Sequence, residues 1–452
     1  MATQILCRAH FNPRYVWKNG VIGSVRLYVG LEDEHEENWT ALFVDLIYVA
    51  MCSKLAHTFL SCEMNANLIL WTATLMQIFF FSRFFLDEYN IRFETDDLFH
   101  RMLTFLYIFG ICIILVNINF SADDGSGGAH RRLDAFSPVL DYSSASSHSF
   151  GYQDTALRML AVSGGAAKPV CSLSAVSFHA MSMGFYMTRV ALLLLYVGIM
   201  LIDQSHRVFY MFSIRVLAYI GSIIMVFITD YAVHDPHMKV YPLLGAVAFE
   251  FFGYVSGGMI VALKKAGRWD SLMGTMYFPI NYLVAQQRVS IYILVVLGES
   301  MLMLLLPNWS LPAGSSGYLA ILFSLLMVFM FAMQYFDQVV KGKSEVHAAR
   351  RDIVAGYMFN MLHGLLGYAL LVVSSSVYTV ATTWDDHSPI PKYERYNLCV
   401  SCYCAGLLMQ VMRMQHKGVS FHFENWRRTA HAVYRFFVIM LHLAMIWAEL
   451  TP

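Results

Sequence analysis

Apolar runs of about twenty residues, the length a helix needs to cross a hydrocarbon core, recur along the whole chain. They fall at 39–60, 68–86, 102–120, 181–202, 208–229, 240–263, 280–306, 316–336, 353–380, 395–413 and 430–449. The tenth is the most dilute, with Tyr396, Asn397, Ser401 and Gln410 among its apolar residues. A segment in lipid must satisfy its own backbone, so the pattern predicts an all-α, polytopic transmembrane helix bundle of about eleven spans. The remaining polarity divides the chain. Residues 1–38 form a cytoplasmic lead-in that ends in the acidic run Glu32 to Glu37, and 39–120 hold the first three helices. Residues 121–180 are rich in Ser and Gly and read as a largely disordered non-cytoplasmic loop, and 181–449 hold helices four to eleven. The start of the chain lacks the basic, apolar and small-residue regions of a cleavable signal, which leaves the first span to direct insertion.

Charge gives the bundle a direction. With an odd number of spans, one side receives the N-terminus and the loops near 83–101, 207, 264–268, 341–351 and 413–428, and holds 19 of the 31 lysines and arginines; the other side holds 7. The positive-inside rule therefore puts the N-terminus in the cytoplasm and the C-terminus outside or in a lumen. Composition agrees with the class: 14% of residues are charged, 58% are hydrophobic and the mean hydropathy is +0.52. A soluble domain carries about 25% charged residues. The lipid bilayer is thus the first partner, in the plasma membrane or an endomembrane. Acids and bases balance at 31 each, and with no basic tract or zinc-like spacing nucleic acid is excluded as a partner. The eight cysteines are scattered, and most read as small buried hydrophobes.

Ionisable residues inside the spans are the candidate chemistry, because each costs about 2.5–3.5 kcal/mol at a helix centre unless it pairs or lines a wet cavity. Asp45, Lys54, Arg189, Arg215, Glu250, Arg288, Glu299 and Arg435 all qualify. Arg288 and Glu299 are 11 residues apart, about 20° around a helix, so they share one stripe that must face the bundle interior. Gly298, beside Glu299, is expected to permit close helix approach. A second concentration of charge, the cytoplasmic motif Arg92-Phe-Glu94-Thr-Asp96-Asp97-Leu-Phe-His100-Arg101, lies between two apolar runs. If a helix starts there, Thr95 is its N-cap and Asp96 and Asp97 occupy its first turn. Asp96 then faces His100 and Asp97 faces Arg101 at i,i+4 spacing.

These stretches resemble a known family. Asn38-Trp-Thr-Ala-Leu-Phe-Val-Asp-Leu-Ile-Tyr-Val49, with Leu55-Ala-His57 after it, is similar to the first helix of the low-temperature-requirement A proteins, W-x-E-L-F-F-D-L-V-F-V and then Q-L-A-H. The Arg92–Arg101 motif resembles that family's R-F-D-T-D-D-x-x-H-R. Gln287-Arg288-Val-Ser-Ile-Tyr-Ile-Leu-Val-Val-Leu-Gly298-Glu299-Ser300 resembles E-R-F-G-L-F-x-I-I-x-L-G-E-S, and Tyr335-Phe-Asp337 its Y-F-D. Ala41 and Gln287 stand where the family has acids, and Lys54 where it has Gln. The resemblance implies a multi-spanning membrane protein and carries no biochemical activity with it.

Function is accordingly read from the charges. Intramembrane carboxylates and arginines are what proton relays and ion pathways use, and the chain has no Walker loop. The leading expectation is a secondary transporter or channel for a small ion or solute, without cofactor, with Asp45, Glu250, Arg288, Glu299 and Asp337 as its transport or ion-pair residues. The order Asp45, Asp87, His100 echoes Glu299, Asp337, His347 six spans later, as a parallel repeat with a site between its halves would. One alternative is a membrane-embedded lipid enzyme holding Mg²⁺ or Mn²⁺ on Glu94, Asp96, Asp97 and His100. Another is an assembly or stability factor whose charges are closed ion pairs.

Overall fold

The computed structural model describes residues 14–15, 39–63, 65–94, 98–118, 120–122, 171–173, 175–202, 206–233, 235, 238–263, 282–305, 315–336, 348, 353–383 and 392–415. Within them the chain is a bundle of ten helices: α1 (Trp39–Ser61), α2 (Ala66–Arg92), α3 (Leu98–Asn117), α4 (Ala175–Ile202), α5 (His206–Tyr231), α6 (Val240–Leu263), α7 (Tyr282–Leu305), α8 (Ser315–Phe336), α9 (Ile353–Thr383) and α10 (Lys392–Met414). Six of these, α1 to α5 and α9, contain described stretches long and apolar enough to cross a membrane, and the chain is a multi-spanning helical membrane protein. The predicted span at 430–449 lies outside the described residues.

Neighbouring side chains fix the helix directions. α1 and α7 run parallel, because Asp45 lies beside Arg288 while further along Ser53 bonds Glu299. α7 and α9 are parallel too, since Tyr292 lies against Gly367 and Ser300 against Ser374. α2 runs opposite to α9: Thr72 meets Tyr368, and Phe80 meets Gly364. The tightest backbone approach at these glycines joins α3 to the antiparallel α4, where a Cβ on Gly184 would sit 2.5 Å from the Gly110 carbonyl oxygen and one on Gly110 2.8 Å from that of Gly184. Small residues at such crossings let backbones touch, which is how helices associate in lipid. By contrast a Cβ on Gly298 would meet nothing within 4 Å, so that glycine is not the close approach its position suggested.

Two features of the connections go beyond the apolar runs. The second helix does not end near residue 86 but continues to Arg92, because Arg83, Asp87 and Glu88 all find partners inside the bundle. Its end is continued by β2 (Phe93–Glu94), paired antiparallel to β1 (Arg14–Tyr15). The Ser/Gly-rich segment, for its part, is anchored at both ends. β3 (Phe120–Ala122) pairs antiparallel with β4 (Cys171–Leu173), and Cys171 forms a disulfide with Cys62 at the end of α1. Those two cysteines are a cross-link and not merely small buried hydrophobes.

Candidate functional site

Among the described residues three buried arginines, Arg189, Arg215 and Arg83, each gather a cluster in the interior. The first is a closed pair between α4 and α6. Arg189 and Glu250 are 0% and 1% exposed, and the guanidinium donates from Nε to Oε1 at 2.5 Å and from Nη2 to Oε2 at 2.8 Å. Arg189 Nη1 also donates to Ser82 Oγ at 2.5 Å, Ser222 Oγ donates to Glu250 Oε1 at 2.7 Å, and the Phe185 ring lies 4.4 Å from the guanidinium carbon. Two fork-shaped ions matched this way satisfy one another in the lipid interior.

A second closed pair joins α5 to α2. Arg215 donates to both Glu88 oxygens, one from Nη1 and the other from Nη2 at 2.8 Å, and to Tyr196 Oη at 3.3 Å. The rings of Phe85, Tyr196, Phe212 and Tyr254 surround it at 5.6–5.9 Å. Aromatic faces attract a desolvated cation, so this cage supplements the carboxylate.

The third cluster is the open one. Arg83, buried on α2, pairs through Nη2 with Asp45 of α1 and through Nε with Asp87 at 3.4 Å. It lies between the Tyr48 and Tyr292 rings at 5.3 and 5.6 Å. Arg288 of α7 approaches Asp45 at 3.9 Å and is 21% exposed. Arg83, Asp87, Glu88 and Arg288 line a cleft between α2, α7 and α9, walled by Phe80, Phe84 and Tyr292 and bounded by Asn360. Arg83 Nη1 and Tyr292 Oη, both on residues that line it, have no hydrogen-bond partner. Two acids face two bases here, and buried donors are left over.

The predicted residues therefore separate. Glu250 belongs to the first cluster, Asp45 and Arg288 to the third, and Glu299 to neither. Arg288 turns to Asp45 and not along its own stripe to Glu299, whose hydrogen bond comes from Ser53. In the Arg92–Arg101 motif, His100 Nε2 meets Tyr89 Oη at 2.6 Å and Arg101 is exposed. Asp96 and Asp97 lie outside the described residues, as do Asp337 and His347, and the side chains of Arg92 and Glu94.

Arg83 and Glu88 did not stand out in the sequence, because an apolar count ends the second span between them and reads both as its polar margin. The spacing Arg83-x-x-x-Asp87-Glu88 was the available signal, an i,i+4 ion pair beside a further acid at the end of a long apolar run. A further polar relay joins α7, α8 and α9. His363 Nδ1 donates to the Phe359 carbonyl oxygen at 2.7 Å, which makes Nε2 the acceptor for Tyr335 Oη at 3.0 Å, and Ser290 Oγ lies 3.4 Å from the same hydroxyl.

No family model, curated protein or solved structure matches the chain.

Proposed function

We propose that this membrane protein is a secondary transporter or channel for a small ion or solute, of the low-temperature-requirement A type, with protons coupled through intramembrane carboxylates. The observation that carries the reading is the cleft between α2, α7 and α9. Its wall includes a buried guanidinium with a free Nη1 donor beside the partly exposed Arg288, whereas the other buried arginines among the described residues, Arg189 and Arg215, sit in closed pairs. Charges kept accessible inside a bundle are what a substrate path requires and what a scaffold avoids.

The orientation expected from the lysines and arginines has independent support. Cys62 and Cys171 sit at the α1 and α4 ends opposite the basic loops, and disulfides persist in oxidising compartments. On this orientation the cleft lies toward the cytoplasm, and eleven spans leave the C-terminus outside or in a lumen. A structural role is the second reading, and the closed pairs Arg189–Glu250 and Arg215–Glu88 favour it. The two are separated by flux. Purified protein in liposomes should move protons or monovalent ions faster than empty vesicles do, and Arg288→Gln should slow that movement at unchanged thermal stability. Flux equal to empty vesicles for every ion tried would leave the structural role standing.

A further inference from the structure

Of the carboxylates buried on α1, α2, α6 and α7, Asp45, Glu88 and Glu250 each take a guanidinium. Glu299 does not. It is 2% exposed on α7, Ser53 of α1 hydrogen-bonds its carboxyl, and the oxygen Oε2 has no hydrogen-bond partner. The titratable neighbour that faces it is the fully buried Cys52 thiol on α1, an acid and not a base. No lysine or arginine among the described residues forms an ion pair with it.

An ionised carboxylate held this way, away from water with one hydroxyl for company, carries a desolvation cost of several kcal/mol that nothing nearby offsets. Three partners can remove that cost: a guanidinium, a metal cation or a proton. The guanidinium is absent, because Arg288 lies 11 residues earlier, about 16 Å along the helix, and is turned to Asp45. A metal cation of the alkali or alkaline-earth kind wants about six oxygens. The next hydroxyl along α7, that of Ser300, donates to the Val296 carbonyl or meets Ser374 Oγ. A proton needs none of these ligands, since the neutral acid accepts from Ser53 with one oxygen and keeps its own hydrogen on the other.

We infer that Glu299 is a proton-binding site: a neutral carboxylic acid at the α1–α7 interface, on the same seam as the Asp45–Arg288 contact. The inference rests on the transport reading only for the proton's use, not for its position. The full-length protein, purified in detergent at neutral pH, should show an infrared carbonyl band of a protonated carboxyl that disappears in Glu299→Gln and shifts in Glu299→Asp. Dicyclohexylcarbodiimide, an apolar reagent that adds to protonated carboxyls, should modify Glu299 as read by mass spectrometry, and added Na⁺ or K⁺ should leave that modification unchanged. A wild-type spectrum identical to that of Glu299→Gln, with Glu299→Asp also unshifted, overturns the inference. Protection from the carbodiimide by either cation overturns it in favour of a metal site. Positive results in both assays from protein that conducts nothing would overturn the transport reading and leave the proton site intact.

Discussion

Arg189 and Glu250 meet as two matched forks in the middle of the bundle, with both guanidinium-to-carboxylate bonds at 2.8 Å or less. Neither ion has another counter-charge in this cluster, so each is the condition for burying the other. Arg189→Gln should lower stability by about 3–5 kcal/mol, because it leaves Glu250 charged and unpaired. Adding Glu250→Gln should restore most of that loss. Thermal unfolding in detergent of the single and double variants measures the coupling, and strictly additive losses would show that the two do not act as a pair.

The glycines differ in the opposite way from what their neighbours in sequence suggest. Gly184→Ala drives a methyl into the Gly110 carbonyl and should cost about 1–3 kcal/mol. Gly298→Ala has open space before it and a helix interior around it, and should be neutral or stabilise by up to about 1 kcal/mol. Melting temperatures of the two variants side by side test this, and equal losses would contradict the α3–α4 contact.

The disulfide spans 109 residues of chain, a loop whose closure restricts the unfolded state considerably. Cys171→Ser should remove a mobility difference between reduced and non-reduced gels and lower stability by about 2–4 kcal/mol. In that variant, in sealed vesicles, the thiol of Cys62 should react with a membrane-impermeant reagent applied from the outer or lumenal side. Reaction solely from the cytoplasmic side would reverse the orientation.

Lys239 lies in the turn ahead of α6, with its ammonium 4.5 Å from the Phe178 ring centre. Burial pushes its pKa below the ordinary 10.5, and the nearby Asp230 offsets part of the shift. A lysine with a depressed folded pKa holds its proton more tightly in the unfolded chain. Its cost is therefore fully present below the folded value and is relieved as pH rises toward 10.5. Lys239→Met should be the more stable protein at neutral pH, with a difference from wild type that shrinks as pH climbs through that window. Melting curves across the alkaline range give the comparison, and a constant difference would point to packing alone.

The architecture was legible because burial in lipid leaves a long, unambiguous apolar signature; α1, α3 and α9 begin within a few residues of where the runs do. What the runs concealed was polarity carried inside helices. Arg83, Asp87 and Glu88 read as the start of a loop, since hydropathy counts a guanidinium as polar whether water or a carboxylate satisfies it. Partner choice was also hidden. Arg288 and Glu299 share a helix face, but the partner of each comes from α1, Asp45 for one and Ser53 for the other, and a single-helix periodicity cannot see across to a parallel neighbour. The bond between Cys62 and Cys171 was out of reach for a similar reason, as spacing alone leaves eight cysteines with many pairings.

Ala122 faces Cys171 across the β3–β4 pair, so the chain leaves the bundle and re-enters it at one point. The strand pair thereby holds the two ends of the 123–170 connection side by side. Lengthening such a detour costs only about 0.6 kcal/mol for each doubling. A strand pair of this kind is in effect a port on one face, where an insert, natural or an engineer's fluorescent reporter, is joined to the bundle at two adjacent points.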